Sequence, residues 1–216
     1  MGKKKELERR AFLFDIRAEE TERGHVLVGR PIVYNSRTNL GDFDEVIESG
    51  ALDMADLTDV RFLVNHDLSK IPLARSRRNN GNSTMTLTVD SEGLLIRVYL
   101  DTENNAEARA LYSAVERGDI TGMSFMFAVR DQEWDDLDTE HPTRRIKAIS
   151  TVVEVSAVTF PAYNAAEIYA RSEEALDSAR AELESAREEY RAKMSLDSDK
   201  TSLELAKAKY NFRKNY

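Results

Sequence analysis

The chain contains three histidines, so a reaction that needs an imidazole has few candidate positions. His66 follows the apolar run of residues 60–64 in the string Asn65-His66-Asp67, at the end of a predicted strand. A side chain there is held rigidly and still reaches solvent, as a general base requires. His25 opens a strand and His141 lies in a polar loop, a pattern typical of surface histidines. The alternative for His66 is the same structural or surface role.

A hydroxyl nucleophile is available at Ser124, in a predicted strand that follows a helix stop and a tight turn. Because side chains alternate along a strand, Met123 and Phe125 share one face and Ser124 lies on the other. A small hydroxyl beside Gly122 lets a substrate carbonyl approach closely. The alternative is that Gly122 and Ser124 are small because another strand packs there.

One carboxylate interrupts a run that otherwise has the pattern of a buried strand. Glu154 lies within residues 152–158, among valines and alanine. Removing an unpaired carboxylate from water costs several kcal/mol, so Glu154 either faces solvent or has a partner, and a histidine is a suitable one. Asp67 and Asp119 stay open as alternative acids for the same role.

Composition excludes several kinds of chemistry. There is no cysteine, which removes disulfides, thiolate metal sites and a cysteine nucleophile. The sequence has no phosphate-binding glycine loop and no zinc-binding histidine motif, so we expect neither a cofactor nor a metal. The net charge of -8 argues against nucleic acid as a partner. Residues 1–10 lack the apolar core of a secretory signal and no stretch is apolar enough to span a bilayer, so we expect a soluble cytoplasmic protein without membrane contact.

The pattern from residue 11 to about residue 160 predicts an α+β domain that is mainly β. Short apolar or alternating runs, separated by turn residues, predict strands at residues 12–17, 25–34, 60–64, 84–89, 94–100, 123–129 and 146–160. Residues 105–117 interrupt this series with a helical spacing of apolar side chains, and Gly118 is a natural stop.

The composition changes after Pro161 to one that favours long helices. Residues 165–194 are rich in Ala, Glu, Arg and Leu and contain neither Gly nor Pro. A narrow apolar stripe runs along this segment, formed by Ile168, Leu176, Ala179, Leu183, Ala186 and Tyr190. Residues 195–198 predict a break, with Ser198 or Asp199 capping a second helix over residues 201–212. The prediction is a helical hairpin or a coiled-coil arm, with a solvated tail as the alternative.

Five strings in this order resemble the HK97-type phage prohead proteases, a family of capsid-maturation serine proteases. They are residues 29–35 (GRPIVYN), 43–52 (FDEVIESGAL), 63–67 (LVNHD), 122–127 (GMSFMF) and 154–163 (EVSAVTFPAY). The resemblance implies a compact antiparallel β-barrel with flanking helices, similar to the assembly proteases of herpesviruses. It divides the chain into a charged N-terminal extension (1–10), the protease domain (11–166) and a charged C-terminal helical arm (167–216).

The resemblance also implies the roles of the site residues. Ser124 is the expected nucleophile, His66 the base and Glu154 the residue that orients the histidine, with backbone N–H groups near Ser124 holding the oxyanion. Herpesvirus relatives have a second histidine in the third position, where this sequence has Glu154.

The expected activity is that of a serine endopeptidase that cleaves the scaffold segments of capsid proteins, and also itself, during prohead maturation. Its expected partners are the phage major capsid protein and its scaffold segment, and a second copy of the chain through the C-terminal helices. The expected location is the host cytoplasm, inside the immature prohead. The alternatives are a non-catalytic capsid-assembly scaffold on the same fold and a small esterase that uses the same serine.

Overall fold

The computed structural model describes residues 7–12, 16–159 and 165–214 of the chain. It contains eleven strands and two α-helices. The strands are β1 (Glu8–Phe12), β2 (Arg17–Thr21), β3 (Gly24–Val33), β4 (Arg37–Asn39), β5 (Asp44–Ile47), β6 (Arg61–Val64), β7 (Ala74–Arg75), β8 (Met85–Asp90), β9 (Gly93–Tyr99), β10 (Gly122–Asp135) and β11 (Thr143–Val158). The helices are α1 (Ala106–Glu116) and α2 (Ala165–Lys214).

The strands form two sheets that enclose the main core. The larger sheet has the order β1-β10-β11-β5-β4, with β6 also paired to β11 and β7 paired to β6. The smaller sheet has the order β2-β3-β9-β8. Strands β10 and β11 form a long antiparallel hairpin, and the second edge of β11 pairs in parallel with β5 and then with β6. This hairpin carries two of the three predicted site residues.

The expectation of a closed antiparallel barrel is wrong. Across residues 7–12 and 16–159, the two sheets stay separate and neither closes on itself. The larger sheet also contains parallel pairs, because β5 and β6 both run in the same direction as β11. Apolar side chains of both sheets, such as Leu27 and Ile96 from one and Phe125 and Val155 from the other, share a single core. Stacked sheets and a barrel produce the same alternation of apolar and polar residues, so the pattern alone does not separate them.

Helix α1 confirms the prediction for residues 105–117. The side chain of Asn105 accepts hydrogen bonds from the N–H groups of Glu107 and Ala108, which makes it an N-cap. Leu111 and Val115, one turn apart, are buried against the core. The helix is followed by Gly118, with φ +78°, a left-handed conformation that ends helices.

Helix α2 is continuous, so the predicted break at residues 195–198 and the predicted hairpin are wrong. Ser and Asp cost a helix interior only a few tenths of a kcal/mol each, and a helix that contains no Gly or Pro continues across them. Thr201 donates its hydroxyl to the Asp197 carbonyl within the helix. Part of the predicted apolar stripe, Leu176, Ala179 and Leu183, packs against Leu40 and Phe43 of the same chain. The side chain of Ile168 lies outside the described residues.

The distal part of α2 exposes apolar side chains that have no such contact in the described core. Met194, Leu196, Leu203 and Leu205 are 53 to 61% exposed. No helix among the described residues is both long enough and apolar enough to cross a lipid bilayer.

Candidate active site

His66 lies directly after β6, in a turn that is tied to β11. Asn65 and His66 both have left-handed backbone conformations, with φ +53° and +59°. The Asn65 N–H donates to the Ala157 carbonyl at 2.9 Å, and the Asn65 side chain accepts a hydrogen bond from the Thr159 N–H at 3.0 Å. Two consecutive non-glycine residues in this conformation are uncommon, and such local strain occurs most often at functional sites. The turn directs the imidazole toward the β10–β11 hairpin.

Ser124 lies near the start of β10, between β1 and β11, and is fully buried. Its neighbours Met123 and Phe125 belong to the main core, as the alternation predicts. The distance from Ser124 Oγ to His66 Nε2 is 2.5 Å. A hydroxyl and an imidazole nitrogen at hydrogen-bond distance are the arrangement that activates a serine for attack on a carbonyl.

Glu154 lies on β11 and is 1% exposed, so the predicted solvent-facing alternative does not apply. One carboxylate oxygen, Oε1, makes a short hydrogen bond with His66 Nδ1. That contact favours the tautomer with the proton on Nδ1, which leaves Nε2 free to accept the serine proton. The two alternative acids have other partners: Asp67 accepts hydrogen bonds from Ser69, and Asp119 pairs with Arg117.

Ser156 is also part of this arrangement and is not among the predicted site residues. It is fully buried two residues after Glu154, on the same strand and the same face. Its hydroxyl donates to Glu154 Oε2 at 2.7 Å and accepts a hydrogen bond from the His66 backbone N–H at 3.1 Å. The hydroxyl therefore links the acid and the backbone of the histidine. The i, i+2 spacing from Glu154 was the available signal.

Strand β1 covers Ser124. It pairs antiparallel with the free edge of β10, with Ala11 opposite Ser124 and Arg10 opposite Phe125. The Ser124 hydroxyl lies 2.7 Å from the Arg10 carbonyl oxygen and donates to it. The serine thus contacts two acceptors, this carbonyl and the imidazole, with a single proton to donate. A backbone carbonyl of the chain itself lies next to the candidate nucleophile.

Four buried charged side chains hold β1 in place. Arg10 pairs with Glu45 and Glu8, and Arg144 pairs with the same two acids, all at 2.6 to 2.9 Å. Burial raises the pKa of Glu8, but the hydrogen bonds and charges of Arg144 and Arg10 outweigh it and hold that pKa below its ordinary value. Burial lowers the pKa of Arg10, and the pairs with Glu45 and Glu8 more than reverse this and raise it. Glu8, Arg10 and Arg144 are therefore charged at neutral pH.

These contacts make part of the N-terminal segment a strand of the domain. The sequence predicts a charged extension for residues 1–10, and the structure includes Glu8, Arg9 and Arg10 in the larger sheet. Strand formation at a charged segment requires that its inward charges find partners, and Glu45 and Arg144 provide them.

Comparison with known proteins adds the family. The sequence profile of the caudovirus prohead serine proteases matches residues 13–179. The chain belongs to this family. The resemblance drawn from the five strings is therefore confirmed, and the protein is a phage prohead protease, an enzyme of capsid maturation. A search of the curated proteins gives no match.

One solved structure similar to this prohead protease is that of the bacteriophage T4 capsid assembly protease, gp21. The two chains are 11% identical, with a TM-score of 0.45, and the match covers 74% of this chain and 100% of the T4 chain. At this level of similarity, no residue role is transferred from it.

The other histidines of the prohead protease lie in separate contacts. His25 Nδ1 is 2.5 Å from the Thr102 hydroxyl, and its ring stacks on Tyr112. His141 Nε2 is 2.9 Å from Asp44. Burial raises the pKa of Asp44, while His141 and Arg37 lower it, and the net shift is downward. Among the described residues, no group of three or more His, Asp or Glu side chains is arranged to hold a metal ion.

Proposed function

We propose that this protein is a serine endopeptidase that cleaves the scaffold segments of phage capsid proteins inside the immature prohead, in the host cytoplasm, and that also cleaves itself. The observation that carries the proposal is the chain of contacts from Glu154 through His66 to Ser124. Each of these side chains comes from a different strand or turn, separated by at least 30 residues along the chain. A non-catalytic scaffold has no need for such an arrangement.

In the proposed reaction, His66 Nε2 accepts the proton of the Ser124 hydroxyl as Oγ attacks the scissile carbonyl carbon. The Oγ–C bond forms, and the tetrahedral intermediate then breaks its C–N bond. The proton held by His66 passes to the leaving amine. A water molecule next attacks the acyl-enzyme carbonyl carbon while His66 takes one of its protons. His66 then gives that proton to Ser124 Oγ as the C–Oγ bond breaks, which releases the carboxylic acid and restores Ser124.

Glu154 supports this reaction through the imidazole. Its carboxylate accepts the Nδ1 proton, so the ring cannot adopt the tautomer that would place a proton on Nε2. It also stabilises the imidazolium that forms when His66 takes the serine proton. General-base catalysis of this kind is worth roughly 10²- to 10⁴-fold in rate. Backbone N–H groups near Ser124 are the proposed donors to the oxyanion.

The proposal that the enzyme cleaves itself is supported by the position of β1. The carbonyl next to Ser124 belongs to Arg10, so the peptide bond between Arg10 and Ala11 is the bond that self-cleavage would break. Cleavage there would separate residues 8–10, with their two inward charges, from the rest of the chain. The strand that covers Ser124 would then be shortened, and the site would become accessible to a capsid protein.

A comparison of purified variants with a cognate capsid protein tests the catalytic assignment. We expect Ser124→Ala and His66→Ala to reduce scaffold cleavage by at least about 10³-fold. His141→Ala is the matched control and retains cleavage within about threefold of the wild type. Equal cleavage by all four proteins would refute the assignment. A fluorophosphonate probe that labels the wild type but not Ser124→Ala separates an enzyme from a scaffold, and the cleaved product separates a protease from an esterase.

A second part of the proposal concerns self-association through α2. The proximal part of the helix packs on its own domain, so the exposed apolar side chains after residue 193 are the surface available to another copy. We expect truncation after Lys193 to lower the oligomeric state in light scattering without lowering the thermal stability of the domain. An unchanged mass would exclude this role for the distal helix.

A further inference from the structure

Strand β1 places two charged side chains in a pocket that belongs to the rest of the domain. Arg10 donates to both carboxylate oxygens of Glu45, at 2.6 and 2.7 Å, and its guanidinium lies 5.6 Å from the centre of the Phe127 ring. Glu8 accepts two hydrogen bonds from Arg144, at 2.6 and 2.8 Å. Glu45, Phe127 and Arg144 are at most 2% exposed. The domain therefore has a buried acidic position and a buried basic position, each filled by the opposite charge from β1.

The backbone of β1 relates these two positions to the nucleophile. Arg10 contacts Glu45 through its side chain and Ser124 through its carbonyl oxygen. Glu8, which contacts Arg144, precedes Arg10 by two residues, so the two side chains lie on the same face of the strand. Because β1 adds to the edge of β10, any extended peptide bound in the same place presents its side chains at the same spacing. The pocket is thus positioned to recognise side chains relative to the cleaved bond.

The pocket keeps one acidic and one basic side chain when β1 leaves it. Glu45 and Arg144 still contact each other, at 2.9 Å, but each loses the bidentate pair that β1 provides. A buried charge with unused hydrogen-bonding positions is costly, so the open pocket favours a ligand that restores both pairs. An apolar or like-charged side chain does not restore them.

We propose that Glu45 and Phe127 form the subsite for a basic side chain directly before the cleaved bond, and that Arg144 forms the subsite for an acidic side chain two residues earlier. This inference rests on the proposed function, because it takes Ser124 as the nucleophile. The proposed substrates are extended segments in which an acidic residue, any residue and a basic residue follow one another directly before the cleaved bond. The Oγ–C bond forms at the carbonyl of the basic residue, and the proton leaves through His66 with the amine of the next one.

The alternative is that the four charges serve only to fasten β1, with no part in substrate choice. Peptide competition distinguishes the two. The reference peptide has the sequence of residues 5–14, KELERRAFLF. It competes, on the full-length enzyme, with the same peptide carrying citrulline in place of Arg10, which keeps the shape of the side chain and removes its charge. Mass spectrometry gives the ratio of the two kcat/KM values and the bond that is cleaved.

Because the two peptides compete for the same enzyme, the ratio of their kcat/KM values does not depend on the fraction of enzyme molecules whose site is open. We expect the arginine peptide to be cleaved between Arg10 and Ala11 roughly 10- to 100-fold faster than the citrulline peptide, as for a lost charge-assisted hydrogen bond. In Glu45→Gln the ratio falls to about threefold or less. Glu48→Gln is the matched control, because Glu48 lies just after β5, is partly exposed and pairs with Arg145, and it retains the wild-type ratio.

Three outcomes overturn the subsite. They are equal cleavage of the two peptides by the wild type, an unchanged ratio in Glu45→Gln, and no cleavage of either peptide by an enzyme whose Ser124 reacts with the fluorophosphonate. Absence of both cleavage and labelling is instead a failure of the proposed function, and the subsite fails with it. If Glu45→Gln does not fold, the citrulline comparison on the wild type still decides the inference.

Discussion

Replacing Glu154 by glutamine is the sharpest test of the proposed mechanism, because it changes one atom and reverses one hydrogen bond. The carboxylate can only accept the His66 Nδ1 proton, whereas an amide group can donate to an unprotonated Nδ1. The ring then carries its proton on Nε2, which faces Ser124 at 2.5 Å. In that tautomer His66 cannot accept the serine proton. The substitution also removes the negative charge that stabilises the imidazolium.

The size of the effect follows from these two losses. In Ser-His-Asp hydrolases, the corresponding acid-to-amide change lowers kcat about 10⁴-fold. Glu154 is as buried as such an acid, at 1% exposure, so solvent does not screen the lost charge. We expect scaffold cleavage to fall about 10³- to 10⁴-fold, which corresponds to about 4 to 5.5 kcal/mol of transition-state stabilisation. The KM should change little, because Glu154 contacts the imidazole and not the substrate.

The assay compares initial rates of capsid-protein cleavage by the wild type, Glu154→Gln and Glu154→Asp, together with the rate at which a fluorophosphonate labels Ser124. Self-cleavage between Arg10 and Ala11 would open the site faster in the wild type, so the rates are taken before this bond is cut in any of the three proteins. Glu154→Asp keeps the charge and should retain more activity than Glu154→Gln. A folded Glu154→Gln protein that cleaves within threefold of the wild type would show that the carboxylate does not set the tautomer.

Three further predictions concern other parts of the structure. Ser156→Ala removes the hydroxyl between the acid and the histidine backbone, and we expect kcat to fall about tenfold with KM unchanged, measured on the same capsid protein. Gly93→Ala should destabilise the fold by about 2 kcal/mol or more, measured by chemical denaturation, because φ at Gly93 is +136° and a Cβ would lie 2.0 Å from a backbone carbonyl oxygen. Gly81 has open space around it, so the control Gly81→Ala should change the stability by no more than about 0.5 kcal/mol. The pKa of Glu8 is lower in the folded protein than its ordinary 4.5, so the contribution of Glu8 to stability is present above pH 4.5 and is lost as the pH falls through the folded-state pKa. Hydrogen exchange should show β1 opening in that acidic range, and Glu8→Gln should remove this pH dependence.

The parts of this fold that the sequence predicts are those in which local pattern and tertiary contact agree. The cap at Asn105 and the apolar spacing of α1 are local signals, and both are present in the structure. The first half of β10 is apolar at successive positions and was predicted, whereas its second half, residues 130–135, is mostly charged and was not. That half is only partly buried and pairs across the hairpin, as Arg145 does with Asp135. Periodicity does not detect such pairing.

The candidate site shows the same division between local and long-range information. His66, Ser124 and Glu154 could be chosen from residue type, neighbouring pattern and the resemblance. The position of β1 over Ser124 could not be predicted, because the inward-facing residues of β1 are charged and their pattern is typical of a solvent-exposed extension. Their partners lie 35 and 136 residues away along the chain. A charged segment is solvent-exposed only when its charges have no buried partners. The sequence alone does not show which residues become partners in the fold.

The four charges of this cluster are better explained by the position they impose on β1 than by the stability they add. A buried ion pair gains little over apolar packing of the same volume, because desolvation offsets most of the attraction. A slip of β1 by one residue, however, would turn Leu7 and Arg9 inward in place of Glu8 and Arg10. Arg144 would then lose its carboxylate partner on β1, at a cost of several kcal/mol. Carbonyl groups also alternate along a strand, so the same slip would move the Arg10 carbonyl away from Ser124. The charge cluster therefore determines which peptide bond of β1 lies at the serine.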